Sequence, residues 1–263
     1  MNLSELLLYA WLISALVMTV LWAAQLKTRN AGIVDVAWAF MTPLVSCGLI
    51  LFDAMPDSPR QYIIIVLAIL WGFRLGIYLY GRVMHAVEDG RYRQMRKSSG
   101  KYAAPIIFIF FQIQATWTLL FAMPFWAAAQ NNSAGLTILD VLGIVIWLVS
   151  IAGEVSSDRQ LAAFRNNPDN KGKVCQIGLW KYSRHPNYFF EWLHWWAYVL
   201  IGFGSGYWWL TWLGLVVMYV FITRITGIPF TEQQSLRSRG QAYIDYQKST
   251  NAFFPFPRRL KRS

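Results

Sequence analysis

Long apolar runs separated by short polar connections dominate this chain of 263 residues. A membrane-crossing helix needs about 20 apolar residues, and seven runs approach or exceed that length. The runs cover residues 3–24, 32–52, 61–81, 104–129, 136–154, 188–203 and 207–226. The sixth run is short, and a glycine-rich turn at 202–206 joins it to the seventh. The pattern predicts an all-α integral membrane protein with about seven transmembrane helices.

Lysine and arginine residues are concentrated in every second connection between the apolar runs. Those after the first, third, fifth and seventh runs hold nearly all the cations, whereas the opposite connections hold only Arg60. Because cytoplasmic connections carry the excess of lysine and arginine, we expect the N-terminus outside and the C-terminus in the cytoplasm. We therefore expect one multi-pass membrane domain over residues 1–263, in the inner membrane if the source is bacterial.

Composition agrees with a membrane protein. The chain is 56% hydrophobic and 14% charged, whereas soluble domains average about 25% charged residues. The net charge of +11 does not indicate nucleic-acid binding, because the cations lie between apolar runs rather than along one face. Anionic lipid head groups are the partners that this placement favours.

Several kinds of site are excluded. Cys47 and Cys175 lack the spacing of a disulfide framework or a zinc site. No strand-associated GxGxxG and no P-loop, HExxH or nucleophile-elbow GxSxG motif is present. The N-terminus lacks a basic region and a cleavage site, so the first run is expected to stay as a helix. Any cofactor must therefore be held by helix ends and loops.

The sixth run carries polar residues on one helical face. Asn187, Glu191, His194 and Tyr198 recur at i, i+4, i+7 and i+11. Ionisable groups inside a membrane helix usually serve a function, although a polar clamp between helices would use the same residues. For Glu191 we favour a function, and for His194 both interpretations stand.

A second polar stripe ends the fifth run. Glu154, Asp158 and Arg165 lie at i, i+4 and i+11. A carboxylate accepts the hydroxyls of a ribose or an adenine amino group, and an arginine grips phosphate through two hydrogen bonds. The alternative is a salt bridge at an exposed helix end.

The second and third runs hold further candidates. Trp71, Arg74 and Tyr78 share a face of the third run, and Asp35 and Trp38 lie three residues apart in the second. Arg74 lies inside an apolar run and requires an anion or a water-filled cavity. Asp35 is suited equally to pairing with Arg74 or to supplying an acid at a substrate.

The connection after the third run is dense in polar residues. They are His85, Glu88, Asp89, Arg91, Tyr92 and Arg93. Such a run is usually a solvated surface whose charges pair with one another. A contribution to an anionic ligand site is the alternative.

Three segments carry a resemblance to a known superfamily. The first is Ser157–Asp158 with Arg165, and the second, which we call the signature segment, is residues 178–188 (GLWKYSRHPNY) followed by Glu191. The third contains Tyr243, Asp245 and Tyr246 before the aromatic–proline run at 253–257. With these segments the chain resembles the steroid 5α-reductase superfamily, in its bacterial branch of seven-helix proteins of the DUF1295 type. That superfamily also includes isoprenylcysteine carboxyl methyltransferases.

The resemblance implies NADPH as cofactor and hydride delivery to a polarised enone. It assigns residues 1–103 to the substrate side and residues 104–263 to the nucleotide site. The implied cofactor-binding residues are Glu154, Asp158, Arg165, Tyr182, Arg184, His185, Asn187, Arg237, Tyr243 and Tyr246. The implied catalytic residues are Asp35, Tyr78 and Glu191. The substrate-binding residues are Trp38, Trp71, Arg74 and His194.

The chain departs from steroid reductases at two of these positions. Those enzymes use a glutamate of the second helix and a tyrosine of the third. Here Asp35 takes the first place and Trp71 the second, with Tyr78 two turns away.

Three functions follow from these patterns. The first is an NADPH-dependent reductase of a lipophilic unsaturated carbonyl or sterol-like substrate. The second is an S-adenosylmethionine-dependent methyltransferase, and the third is a non-catalytic lipid-binding protein. Arg165 favours the first function, because NADPH carries a 2′-phosphate and S-adenosylmethionine has none.

Overall fold

The structure is a computed structural model that describes residues 2–53 and 58–258. This part of the chain forms α-helices joined by short turns, which confirms the all-α prediction. The helices are α1 (Leu3–Thr28), α2 (Ile33–Phe52), α3 (Pro59–His85), α4 (Gly90–Ser99), α5 (Ala103–Ala129), α6 (Ile138–Asn166), α7 (Pro186–Leu193), α8 (Trp195–Ile201), α9 (Trp208–Val220), α10 (Ile228–Arg239) and α11 (Gln241–Ser249). In the described ranges the isolated β-bridge pairs Ser183 with Asn251.

Within residues 2–53 and 58–258, six helical segments are long and apolar enough to cross a membrane. Four are α1, α2, α3 and α6, the fifth contains α4 and α5, and the sixth contains α9 and α10. On α1 many apolar side chains are exposed, and Leu16 is 65% exposed. Exposed apolar surface of this extent marks a membrane contact. The segments support a multi-pass membrane protein.

The run predicted as a sixth continuous helix is divided in two. α7 ends at Leu193 and α8 begins at Trp195. At the start of α8 the Ala197 amide donates to the carbonyl of His194 at 3.0 Å. This is an i to i+3 hydrogen bond, which forms a tighter turn than the α-helix does. Neither piece is long enough to cross a bilayer by itself. The count of seven crossings stays a prediction.

The chain forms two compact units, and unit 1 comprises Met1–Thr137 and Ile201–Gly214. Within it α2 and α3 approach closely at Gly72. A Cβ atom there would lie 2.4 Å from the ring of Pro43 and 2.6 Å from the carbonyl oxygen of Ala39. Small residues allow this approach between membrane helices, where packing supplies much of the association energy.

Unit 2 comprises Ile138–Leu200 and Leu215–Ser263. Its α6 and α7 meet at Gly153, where a Cβ atom would lie 2.4 Å from the ring of Phe190. Phe253 packs edge-to-face on Trp192 at 5.6 Å and on Tyr219 at 5.5 Å between ring centroids. The aromatic–proline run is thereby held against α7 and α9 of this unit.

Candidate functional site

The signature segment begins with a turn anchored on α6. Gly178 has a φ of +52°, and a Cβ atom there would lie 2.3 Å from the side chain of Gln160. Gln160 accepts the Leu179 amide at 2.8 Å, and the Trp180 indole donates to the Ser157 carbonyl at 2.9 Å. Glycine is therefore required both for the backbone conformation and for the close contact.

The middle of the signature segment pairs with the C-terminal tail. The Arg184 amide donates to the Asn251 carbonyl at 2.9 Å, and the Phe256 amide donates to the Tyr182 carbonyl at 3.1 Å. The Tyr246 hydroxyl lies within hydrogen-bond reach of the carbonyl oxygens of Trp180 and Ser183. The structure thus places Tyr246 as a tie between α11 and the signature segment, while the Tyr182 side chain is exposed.

Glu232 of α10 is the centre of a buried polar network. One of its oxygens lies 2.6 Å from Arg184, 3.4 Å from His185 Nε2 and 3.5 Å from the Tyr243 hydroxyl. Gln247 donates to the other oxygen at 2.8 Å. Arg184 also donates to backbone carbonyls of Gln247 and Thr250. Three residues predicted to bind cofactor, Arg184, His185 and Tyr243, thereby meet at one carboxylate.

Burial sets the protonation states around this network. Desolvation lowers the pKa of His185 below its ordinary value, although the hydrogen bond and charge of Glu232 oppose the shift. Desolvation and the charge of Glu232 raise the pKa of Tyr243 to about 12. The His185 ring also stacks on Tyr188 at 5.5 Å. At neutral pH the network contains a neutral imidazole and a neutral phenol beside the Arg184–Glu232 ion pair.

Asp158 and Asn187 are brought together across two helices. Asn187 Nδ2 donates to Asp158 Oδ1 at 3.1 Å, which joins α6 to the first turn of α7. Both side chains are half-buried. A carboxylate and an amide held side by side offer acceptors and donors suited to a sugar or an amide group.

The deeper residues of the two stripes lie inside unit 2. Glu154, Glu191 and His194 are all buried. The Nδ1 atom of His194 lies 2.5 Å from the Glu191 carbonyl oxygen, and its ring contacts Tyr198 edge-to-face. Glu191, His194 and Tyr198, which were predicted to share a helical face, therefore remain neighbours although the helix is divided at His194.

A basic cleft of about 460 Å³ opens beside the end of α6. Its lining residues are Phe164, Arg165, Asn170, Lys171, Gly172, Lys173, Gln234 and Arg239. Arg239 Nε donates to the Lys173 carbonyl at 3.0 Å, which fixes the loop against α10. The lining carries four cations and no carboxylate.

The cleft includes one predicted residue and adds others. Arg165 was expected to bind cofactor, whereas Lys171, Lys173 and Gln234 were not singled out from the sequence. Arg237, which was also predicted to bind cofactor, is exposed on α10 and is not among the residues that line the cleft. The pair Lys171 and Lys173 was a usable signal, because both lysines lie in the connection that follows α6, the helix of Arg165.

In unit 1, Asp35 has partners on α4. It accepts hydrogen bonds from Arg91 at 3.0 Å and from the Tyr92 hydroxyl at 2.7 Å. Asp89 pairs with Arg82 and Arg91, so the polar connection forms the self-paired surface that was one of its two interpretations. The contact between Asp35 and Tyr92 was not anticipated, because a separation of 57 residues leaves no local signal.

The remaining substrate-side candidates separate into two environments. Trp38 and Trp71 meet edge-to-face at 6.0 Å, and Trp71 is fully buried against Phe125. Arg74 is half-buried and Tyr78 is exposed on α3. Trp38 and Trp71 therefore belong to one aromatic cluster, and the catalytic assignment of Tyr78 stays a prediction.

Comparison with known proteins gives a family and two relatives. A family model described as "Protein of unknown function (DUF1295)" matches residues 21–250. The chain is 26% identical over 274 residues to uncharacterized protein C594.04c of Schizosaccharomyces pombe, covering 93% of this chain and 78% of that protein. It is 34% identical over 73 residues to "Probable O-methyltransferase ustE" of Ustilaginoidea virens, covering 27% of this chain and 26% of that protein. No solved structure matches the chain.

Proposed function

Because the chain belongs to the DUF1295 family, a steroid 5α-reductase-like group, we propose that it is a membrane-embedded, NADPH-dependent reductase. Its proposed substrate is a lipophilic molecule with an unsaturated carbonyl or a sterol-like skeleton. The observation that carries the proposal is the basic cleft of unit 2, because four cations around one opening suit a ligand with several phosphate charges.

The residues present fit a phosphorylated dinucleotide. Arg165, Lys171, Lys173 and Arg239 would hold its phosphates. Asp158 lies two turns before Arg165 on α6 and would accept ribose hydroxyls, with Asn187 fixing its orientation. NADPH, when bound, supplies a hydride. The chain's own residues bind the charged end of the cofactor at the polar end of α6.

Proton donation is assigned to residues of the chain. Asp35, Tyr78 and Glu191 keep their proposed catalytic roles, and the hydrogen bond from the Tyr92 hydroxyl would hold the Asp35 carboxylate in position. Protonation by a positioned side chain contributes roughly 10²–10⁴-fold to a rate.

We also propose seven crossings, with the N-terminus outside and the cofactor cleft open to the cytoplasm. The cations of the connections support this orientation, and NADPH is a cytoplasmic cofactor. The pair α7 and α8 supplies the seventh crossing in this arrangement.

A methyltransferase is the second candidate. The observation in its favour is the similarity to the probable O-methyltransferase of Ustilaginoidea virens over 27% of this chain. S-adenosylmethionine carries a carboxylate and no phosphate, so it would need one of the four cations of the cleft rather than all of them.

Ligand-induced stabilisation separates the two candidates. Purified protein in neutral detergent should melt at a higher temperature with NADPH, and little higher with NADH or S-adenosylmethionine, because a ligand of the folded state stabilises it. Arg165→Gln should weaken NADPH binding by roughly tenfold or more, the worth of a charged hydrogen bond. Arg159→Gln removes an exposed cation of the same helix that does not line the cleft, and should bind as wild type does.

Two outcomes would count against the reductase. Stabilisation by S-adenosylmethionine and not by NADPH would favour the methyltransferase. Equal loss of NADPH binding in the Arg165 and Arg159 variants would show that the basic cleft is not the NADPH-binding site. By contrast, the reductase reaction would be established by NADPH oxidation that requires an added lipophilic enone and that is lost in Arg165→Gln.

A further inference from the structure

Helix α4 separates its charges between two faces. On the inner face Tyr92 is buried among apolar residues of unit 1 and Met95 packs against the same cluster. Arg96 on this face lies 3.0 Å from Glu88 and donates to Gln25 of α1. The charge of Arg96 is therefore neutralised by Glu88 within the unit.

The acids at this end of unit 1 are each paired with arginines of α3 or α4. Asp35, Glu88 and Asp89 pair with Arg82, Arg91 and Arg96. Five other cations near them are exposed, and no described acid of unit 1 forms an ion pair with any of them. We call these residues the α4 basic surface: Lys27, Arg29, Arg93, Lys97 and Lys101.

The α4 basic surface lies where spanning helices leave the apolar zone. On α1 the exposed Leu26 is followed directly by Lys27 and then Arg29. On the other side α4 continues through one short turn, Gly100–Tyr102, into the apolar helix α5. The cations therefore border the apolar spans at a single end of unit 1.

Aromatic residues mark the same level. Tyr102 is 59% exposed beside Lys101, and the Trp22 indole donates to the Ala104 carbonyl at 3.0 Å. Tyrosine and tryptophan concentrate at the head-group level of a bilayer. Cations at that level meet lipid phosphates rather than the hydrocarbon or the bulk solvent.

We propose that the α4 basic surface binds the phosphate head groups of anionic membrane lipids. Asp35, Glu88 and Asp89 are already paired with arginines. The five cations of the α4 basic surface form no ion pair with a described acid of unit 1, so their charge is complementary to that of lipid phosphates. Arg93 and Lys97 lie one turn apart on α4, so two neighbouring head groups can be contacted at once. This binding does not depend on the proposed reductase activity.

Titration with soluble short-chain lipids tests the proposal. The full chain in neutral detergent is titrated with dioctanoyl phosphatidylglycerol or dioctanoyl phosphatidylcholine, and native mass spectrometry counts the bound lipids. Wild type should prefer phosphatidylglycerol. Each cation removed should weaken that binding by about fivefold, the worth of one cation near an anionic surface. The triple variant Arg93→Gln/Lys97→Gln/Lys101→Gln should therefore lose most of the preference.

A matched control separates local contact from net charge. Arg159→Gln/Lys181→Gln/Lys248→Gln removes three exposed cations of unit 2 and should keep the preference for phosphatidylglycerol. Equal losses in the two triple variants would overturn the proposal, as would an unchanged preference in the α4 variant. Competition by glycerol phosphate as effective as that of the lipid would also overturn it, because the ligand would then be a free phosphate. A wild-type melting temperature in the α4 variant shows that it is folded.

Discussion

At the scale of single residues, Glu232 organises the most polar part of unit 2. Arg184, 48 residues away in the chain, places its guanidinium between this carboxylate and two backbone carbonyls. Removing one member of a buried ion pair leaves an uncompensated charge, which costs about 3–5 kcal/mol. The conspicuous Ser-Arg-His-Pro-Asn run thus contributes to the stability of unit 2 as well as to the proposed site.

The pH dependence of stability should report on His185. Its pKa is lower in the folded protein than the ordinary value of 6.5, because burial disfavours the imidazolium. Below about pH 6.5 the unfolded chain takes up a proton that the folded chain does not, so stability is lost as the pH falls. The melting temperature of the purified protein should drop accordingly, and His185→Gln should show a smaller drop.

The control for this measurement is His85→Gln. His85 is exposed at the end of α3, and its removal should leave the wild-type slope of melting temperature against pH. An unchanged slope in His185→Gln would show that another group is responsible.

At the scale of elements, the lengths of the apolar runs predicted most helices, and their packing depends on a few small residues. The start of α1 agrees with its sequence, because Asn2 and Glu5 form reciprocal capping hydrogen bonds of 2.8 and 3.1 Å. The division of α7 from α8 was not predicted. The hydrophobic pattern of the run contains no signal for the i to i+3 hydrogen bond that Ala197 donates to His194.

The contact between α2 and α3 should tolerate no side chain at Gly72. Gly72→Ala would press a methyl group against Pro43 and the Ala39 carbonyl, neither of which can rotate away. Overpacking of this kind costs about 1–3 kcal/mol, so the melting temperature should fall. Gly48→Ala on α2 has open space around its Cβ and should be neutral or stabilising, since alanine favours helices by about 1 kcal/mol. Equal effects of the two substitutions would contradict the close helix contact.

At the scale of the whole molecule, the number of crossings decides where the termini lie. In the part of the chain that the structure describes, six helical segments satisfy the length and composition of a span, and α7 with α8 is the proposed seventh crossing. An odd number of crossings places the two termini on opposite sides of the membrane, and an even number places them on the same side.

Reporter fusions measure this directly. A fluorescent protein that matures only in the cytoplasm should be bright at the C-terminus and dark at the N-terminus. An enzyme reporter active only outside should give the reverse. Two bright fluorescent fusions would indicate an even number of crossings and remove α7–α8 as a span.

The sequence by itself determined that this is a helical membrane protein with cations on alternate connections. These properties are local, because lipid selects runs of about 20 apolar residues regardless of their neighbours. It also identified Asp158, Asn187 and Arg165 as polar groups in need of partners or ligands. Their helical spacing placed them on faces but did not assign their contacts.

Only the tertiary structure decided which of these groups meet. It joined Arg184 to Glu232, Asp35 to Arg91 and Tyr92, and α10 to the loop that completes the basic cleft. Hydrogen bonds and ion pairs depend on distances of about 3 Å, and residues far apart in the chain reach those distances only when the helices pack. The chemistry proposed for unit 2 therefore rests on contacts that no single helix contains.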